Sequence, residues 1–260
     1  MRLGGKTVLV TRQPEQAGEL RGDIERRGGR AVLFPTVRIL PPLSWSACDA
    51  ALTVIDRFDG LVFTSPNAVR RFLDRAREQG IDSALMARRR VWAVGERTAE
   101  ELTAHAIGVQ PLPEQYTGAS LAEHVAATAT AGSRLLLPQG DLASEELAGR
   151  LRGSGLTVET VVVYRTTAPS GRDVGEIHAQ LAAGRIDAVT FLSPSSARNF
   201  AALFQGESLA AVLSRAVVAV IGPVTRDALR ELGVEPAVVA EVSTARGLVD
   251  ALERYFEGSA

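Results

Sequence analysis

The chain has 260 residues, of which 46% are hydrophobic and 23% charged, an ordinary globular balance with length for two modest domains. With 29 basic against 30 acidic side chains the net charge is −1, which excludes a global field for nucleic acid or an anionic membrane, so any anion site must be built locally. The single cysteine, Cys48, excludes an internal disulfide and a cysteine-rich zinc cage, and a reducing, cytoplasmic setting is expected. The N-terminal apolar run is too short for a signal peptide, and no stretch approaches the roughly 18 apolar residues of a membrane span.

In chain order, Val8–Val10 reads as a strand, followed by an amphipathic helical segment over Pro14–Arg27 and a glycine pair. Ala31–Phe34 is the next expected strand, and "FPTVRILPP" at 34–42 is a β-branched run ending in proline that suits a joint between domains. Cys48 then sits among helical residues with no paired histidine, an inert placement. Leu61–Phe63 and Val91–Val94 are further strands, separated by a helix over Pro66–Gln79 and followed by one over Arg97–Ala106. All four strands are expected to be buried on both faces. Strand–helix alternation of this kind implies parallel sheets covered by helices.

From residue 134 the order begins again. "TVLVTRQPEQAGELRGDIERRGGRAV" at 7–32 pairs with "RLLLPQGDLASEELAGRLRGSGLTV" at 134–158, and "VWAVGERTAEEL" at 91–102 with "VVAVIGPVTRDAL" at 217–229. "FTSPNAV" at 63–69 returns as "FLSPSSA" at 191–197, and "YTGASL" at 116–121 faces "STARGL" at 243–248. Matched residues stand 127 or 128 apart, as Thr7 and Arg134, Gly95 and Gly222, Thr98 and Thr225, and Phe63 and Phe191 do, the mark of a tandem duplication. The second joint, "VVVYRTTAP" at 161–169, holds the place that "FPTVRILPP" holds in the first copy.

The repeated corner carries the chemistry. Ser65 and Ser193 are each placed as a helix N-cap with proline at the first helical position. Each corner leaves N–H groups and hydroxyls (Thr64, Ser65 and Asn67; Ser193, Ser195 and Ser196) at the carboxyl end of a parallel strand, where open α/β sheets bind ligands and helix starts favour anions. Gly95 with Thr98, and Gly222 with Thr225, add a second pair of glycine-led helix starts. One such corner alone is explained by capping; its duplication beside the glycine–threonine pair points to two anion-receptive rims. His105, His124 and His178 lack metal-ligand spacing, the arginines of "ARRRV" at 87–91 suit a solvated basic turn, and Glu100–Glu101 and Glu145–Glu146 are helix-surface pairs. No Walker A, G-x-G-x-x-G, G-x-S-x-G or H-E-x-x-H motif occurs. A reaction here would rest on positioning and dipoles, without metal or organic cofactor.

Taken in order, "VLVTRQPEQA", "DGLVFTSPNAV", "VWAVGERTAEEL", "VVVYRT", "DAVTFLSPSSA" and "AVIGPVTRDAL" resemble the uroporphyrinogen-III synthase family over nearly the whole chain. The resemblance implies two flavodoxin-like α/β domains joined by a two-stranded β-ladder, with the active site in the cleft between them. The domains implied are 1–35 with 170–260, and 43–161, with 36–42 and 162–169 as the ladder. It implies closure of hydroxymethylbilane to uroporphyrinogen III, with loss of water and inversion of ring D, by a cytoplasmic monomer that can receive its substrate from hydroxymethylbilane synthase. The eight carboxylates of that substrate suit two polar rims. Carried over by position, Tyr164 is the hydrogen-bond donor to the departing hydroxyl, with a structural hydroxyl of the ladder as its alternative. Thr98, Ser193 and Thr225 match polar positions of the cleft, and Arg12 matches a strand-end arginine. Gln139-Gly140 departs from the arginine–glycine of many relatives and removes one possible carboxylate-binding charge. A non-catalytic two-lobe binder or sensor of an anionic tetrapyrrole-like ligand, and another tetrapyrrole enzyme, are the competing readings.

Overall fold

The computed structural model describes residues 3–258; residues 1–2 and 259–260, which the expected first domain includes, lie outside the described residues. Among the described residues ten strands form two five-stranded sheets. In chain order they are β1 (Thr7–Val10), β2 (Arg30–Leu33), β3 (Arg38–Leu40), β4 (Gly60–Phe63), β5 (Arg90–Ala93), β6 (Arg134–Gly140), β7 (Thr157–Thr167), β8 (Ala188–Phe191), β9 (Val217–Val220) and β10 (Val238–Val239). The orders are β10-β9-β8-β1-β2 and β3-β7-β6-β4-β5. Two compact units result, dividing at Arg38/Ile39 and at Thr166/Thr167.

The strands of the two copies do not stay together. β1, β2, β4 and β5 belong to the first copy, and β6, β7, β8 and β9 hold the same places in the second, at the offset of the duplication. One sheet joins β1 and β2 to β8 and β9; the other joins β4 and β5 to β6 and β7. These pairings are parallel, with Val8 opposite Ala188 in the first sheet and Gly60 opposite Leu135 in the second. The run expected as a joint at 161–169 lies largely within β7, which carries β3 at its edge, so most of it is part of the second unit's sheet.

Apolar residues divide by strand alternation, as period-two side chains must. In the second unit Leu61, Phe63, Val91, Ala93 and Leu136 enter one buried cluster, while Val62, Trp92, Leu135 and Leu137 enter the cluster on the opposite face. The first unit repeats this with Leu9, Val189 and Phe191 on one face and Val8, Val10 and Ala188 on the other. Helices supply the covering layers, among them Pro14–Arg26, Pro66–Glu78, Glu96–Ala104, Pro194–Ala202 and Pro223–Glu231. Gly28 and Gly155, equivalent positions of the two copies, both take φ +83°, the left-handed turn that returns chain from helix to strand and favours glycine.

One expectation fails. Ala31–Leu33 are only partly buried, because β2 is the edge strand of its sheet and lacks a neighbour on one side. Phe34, just beyond, is buried and packs edge-on against Phe200 at 6.1 Å; Phe200 also meets Phe191 at 5.4 Å and Phe204 at 4.9 Å. This aromatic nucleus carries the first unit's helix-covered face. Replacing Phe200 with alanine is expected to lower that unit's stability by about 3–5 kcal/mol, read as a fall in the urea midpoint at constant slope.

Candidate active site

In both sheets the strand order reverses between two strands from different copies: β4 and β6 in the second unit, β8 and β1 in the first. The crevice at such a reversal, beyond the carboxyl ends of the strands, is the ligand site of open α/β sheets. The chain places its repeated corners there. Ser65 follows β4 and Ser193 follows β8, each extended in φ and ψ and each accepting a hydrogen bond at its hydroxyl: from Ala68 N–H at 3.1 Å and from Ser196 N–H at 3.1 Å. Ser193 completes a capping box, since Ser196 Oγ accepts from Ser193 N–H at 3.3 Å.

In the second unit Tyr164 reaches this point. Its Oη lies 3.3 Å from Ser65 Oγ. Its ring lies so close to Gly140 that a Cβ there would stand 2.6 Å from Cζ. The hydroxyl is therefore directed to the corner after β4. Thr64 and Asn67 are half-buried beside Ser65, and Asn67 Oδ1 accepts from Arg70 Nη2 at 2.9 Å. Arg70 also pairs with Glu101.

Gly95 and Gly222 open the helices after β5 and β9 in extended backbone that any residue could adopt, so glycine is required there by space. A Cβ on Gly95 would meet the Tyr116 ring at 2.8 Å, and one on Gly222 would meet Ser243 Oγ at 2.7 Å. Tyr116 and Ser243 are themselves equivalent positions of the two copies. Sequence reasoning does not place Tyr116 beside this helix start; the "YTGASL"/"STARGL" match marks its position without giving it a contact. It is 55% exposed and donates from Oη to Glu96 Oε1 at 3.0 Å. Thr98 and Thr225 occupy matching positions one turn into their helices and are each only 2% exposed, so they present little surface to any ligand.

In the first unit Arg12 follows β1, with Nε donating to Gln16 Oε1 at 3.2 Å. Ser195 is exposed, with Oγ 3.0 Å from Ser193 Oγ. Beneath them Thr11 Oγ1 donates to Thr190 O at 2.7 Å and Thr190 Oγ1 to Leu9 O at 3.0 Å, two buried staples across the β1–β8 reversal. Gln139 is buried at the end of β6.

His105, His178 and Cys48 lie apart from these corners in their contacts. His105 and His178 sit beside Glu101 and Glu207 on helix surfaces. Burial, then the neighbouring Asp49 charge, pushes the Cys48 thiol up to about 12, which keeps it protonated. Among the described residues no three His, Cys, Asp or Glu side chains gather as a metal site, and no helix is long and apolar enough to cross a membrane.

These features define a class: a duplicated α/β protein whose two parallel-dominated sheets each carry a polar rim at a point of reversed strand order. The uroporphyrinogen-III synthase HemD family model matches residues 18–250. The chain is 31% identical to a uroporphyrinogen-III synthase of Chlorobaculum parvum over 95% of its length and 100% of the relative's. It is 30% identical to that of Synechococcus elongatus, covering 96% of each. A mutant uroporphyrinogen III synthase of Thermus thermophilus shares the fold with a TM-score of 0.65 at 20% identity, over 97% of this chain and 99% of that one. The Helicobacter pylori synthetase shares it with a TM-score of 0.59 at 16% identity, over 96% and 99%. The chain belongs to the uroporphyrinogen-III synthase family, and so is an enzyme of tetrapyrrole biosynthesis with a small-molecule substrate.

The hydrogen bond to Glu96, with burial second, raises the Tyr116 phenol above the ordinary tyrosine value. Alkaline titration followed by tyrosinate absorbance should therefore show a late-ionising component, absent in Tyr116→Phe and drawn back towards the ordinary range in Glu96→Gln. An unchanged curve in both variants would contradict it.

Proposed function

We propose that the chain acts as a hydro-lyase that closes linear hydroxymethylbilane to uroporphyrinogen III. The pyrrole nitrogen of ring A drives out the terminal hydroxyl: the C–O bond breaks, the hydroxyl leaves as water with a proton, and an azafulvene cation remains. The substituted α-carbon of ring D attacks that cation to form the spiro intermediate. Cleavage and reclosure at the other α-carbon invert the ring, and one proton leaves that carbon to restore the pyrrole. The cation is stabilised by the pyrrole itself, so neither a redox cofactor nor a Lewis acid is called for.

The observation that carries this reading is the Tyr164 phenol, laid across a reversal of strand order with Oη 3.3 Å from Ser65 Oγ. Tyr164 donates to the departing hydroxyl as charge develops on its oxygen. A phenol is a weak acid and gives partial aid by this route, matched to a leaving group that the pyrrole already expels. The helix starts at Ser65 and Gly95 and at Ser193 and Gly222, with Thr64, Asn67, Ser195, Arg12, Thr98 and Thr225, are assigned to the substrate carboxylates. N–H groups at helix starts hold anions without formal charge. Thr98 and Thr225, being buried, supply at most one contact each. The protein works in this reading as a cytoplasmic monomer, receiving a short-lived substrate from hydroxymethylbilane synthase.

The test is to incubate the protein with freshly made hydroxymethylbilane and resolve the product isomers. The III isomer is expected; spontaneous closure to isomer I alone would refute the proposal and leave a non-catalytic binder. Tyr164→Phe is expected to lower kcat about a hundredfold, as loss of a donor to a developing oxyanion does. Thr98→Ala and Thr225→Ala are expected to cost about 1 kcal/mol each in kcat/KM. Wild-type turnover by Tyr164→Phe would remove it from the chemistry.

A further inference from the structure

We infer that Gly140 is a positioning residue: it is the gap in the end of β6 through which Tyr164 passes, and the strand irregularity beside it aims the phenol. This rests on the role given to Tyr164 above. β7 and β4 are not neighbours, because β6 lies between them. A side chain from β7 can reach the corner after β4 only by crossing the end of β6. Tyr164 does so, and an added Cβ at residue 140 would stand 2.6 Å from Cε2, 2.6 Å from Cζ and 2.8 Å from Oη. Gly140 is not among the glycines with positive φ, so its backbone does not call for glycine. The phenol does.

The aim comes from the register. Gln139 stands opposite Val162, but Gly140 stands opposite Tyr164, so β7 gains one residue at this point. Val161 and Val163 point into the buried cluster that covers one face of the sheet. Plain alternation would send Tyr164 to the other face, yet it packs against that same cluster. Re-aiming one side chain is what such a bulge does. Asp141 then fixes the backbone: its N–H donates to Tyr164 O at 3.0 Å, and its Oδ1 accepts from Thr166 N–H at 2.9 Å.

Ser65 Oγ already accepts from Ala68 N–H. It keeps a second lone pair and its own proton, so either hydroxyl can donate across the 3.3 Å contact; the phenolic proton is available to a ligand when Ser65 is the donor. The equivalent positions of the first unit carry no phenol. At the equivalent places of the first copy, Gln13 stands for Gly140 and Val37 for Tyr164, and Gln13 Nε2 donates to Val37 O at 2.6 Å. The duplication has kept the contact between the two positions and given only one copy a phenol.

The experiment is a double-variant cycle on the full chain, measuring kcat and KM for formation of the III isomer from hydroxymethylbilane. Gly140→Ala should displace the ring from Ser65 and lower kcat about as far as Tyr164→Phe does, about a hundredfold, with KM within twofold. Gly140→Ala combined with Tyr164→Phe should be no slower than Tyr164→Phe alone, because the hydroxyl it mislays is already gone. Equal further loss in the Tyr164→Phe background would mean a general structural effect and overturn the inference. So would Gly140→Ala with wild-type kcat while Tyr164→Phe is impaired. An unimpaired Tyr164→Phe would instead overturn the role of Tyr164, and this inference with it. Should Gly140→Ala not fold, Asp141→Ala takes its place in the same cycle: a kcat loss seen only when Tyr164 is present supports the inference, and an equal loss in both backgrounds overturns it.

Discussion

The pairing of β1 with β8, and of β6 with β4, is the contact on which the rest depends. Each joins a strand of one copy to a strand of the other, and each is where its sheet's order reverses. Because the two strands of each pair are parallel, their carboxyl ends lie along one edge of their own sheet. Because the order reverses, the helices that follow the two strands depart to opposite faces and open a crevice. Any residue at or just after the ends of these four strands is thereby placed at such a crevice. Ser65, Gly140, Ser193 and Arg12 are such residues.

A duplication offers two equivalent crevices, and the chain has made them different. The shared parts are those that any helix start needs: a capping serine, a proline in the first turn, a glycine where a neighbour comes close. The differences are in what fills the space above. Tyr116 lies on Gly95 where the first unit has Ser243 on Gly222, and Tyr164 lies on Gly140 where Gln13 holds Val37. Both phenols of this kind belong to the second unit. In the proposed reaction a donor is needed at one leaving oxygen only, and Tyr164 of one sheet is the group assigned to it.

Much of this was legible in the sequence. The period of 127 or 128 marks the corners, because short buried parallel strands are near-continuous apolar runs and serine–proline marks a helix start. The edge position of β2 was not legible. Val32 and Leu33 are as apolar as a central strand's residues, and exposure at an edge is decided by which strand comes next in space. Nor could periodicity show the exchange of strands between copies, since either partner satisfies the same apolar pattern; that expectation comes from family resemblance. Tyr116 and Gly140 escape sequence reasoning for a shared reason. Their roles lie in contacts between positions well apart along the chain, and glycines in extended backbone look, in sequence, like glycines in turns.

The electrostatics follow from the same construction. With acidic and basic side chains nearly equal in number, many arginines are held by carboxylates: Arg75 by Asp49 and Glu78, Arg27 by Asp250 and Glu253, and Arg70 by Glu101. The Arg75 fork holds Asp49 below the usual carboxylate range, so this pairing persists into mild acid. Cations engaged in this way steady the helices and leave less formal charge for an anionic ligand. N–H groups at helix starts and small hydroxyls are a different resource, fixed in direction by the strand before them and independent of pH. A flexible chain of carboxylates needs many contacts of modest strength and one donor in a defined place. With arginines held on its own helices and the strand ends assigned to the ligand in the proposed reaction, this fold has the means for both.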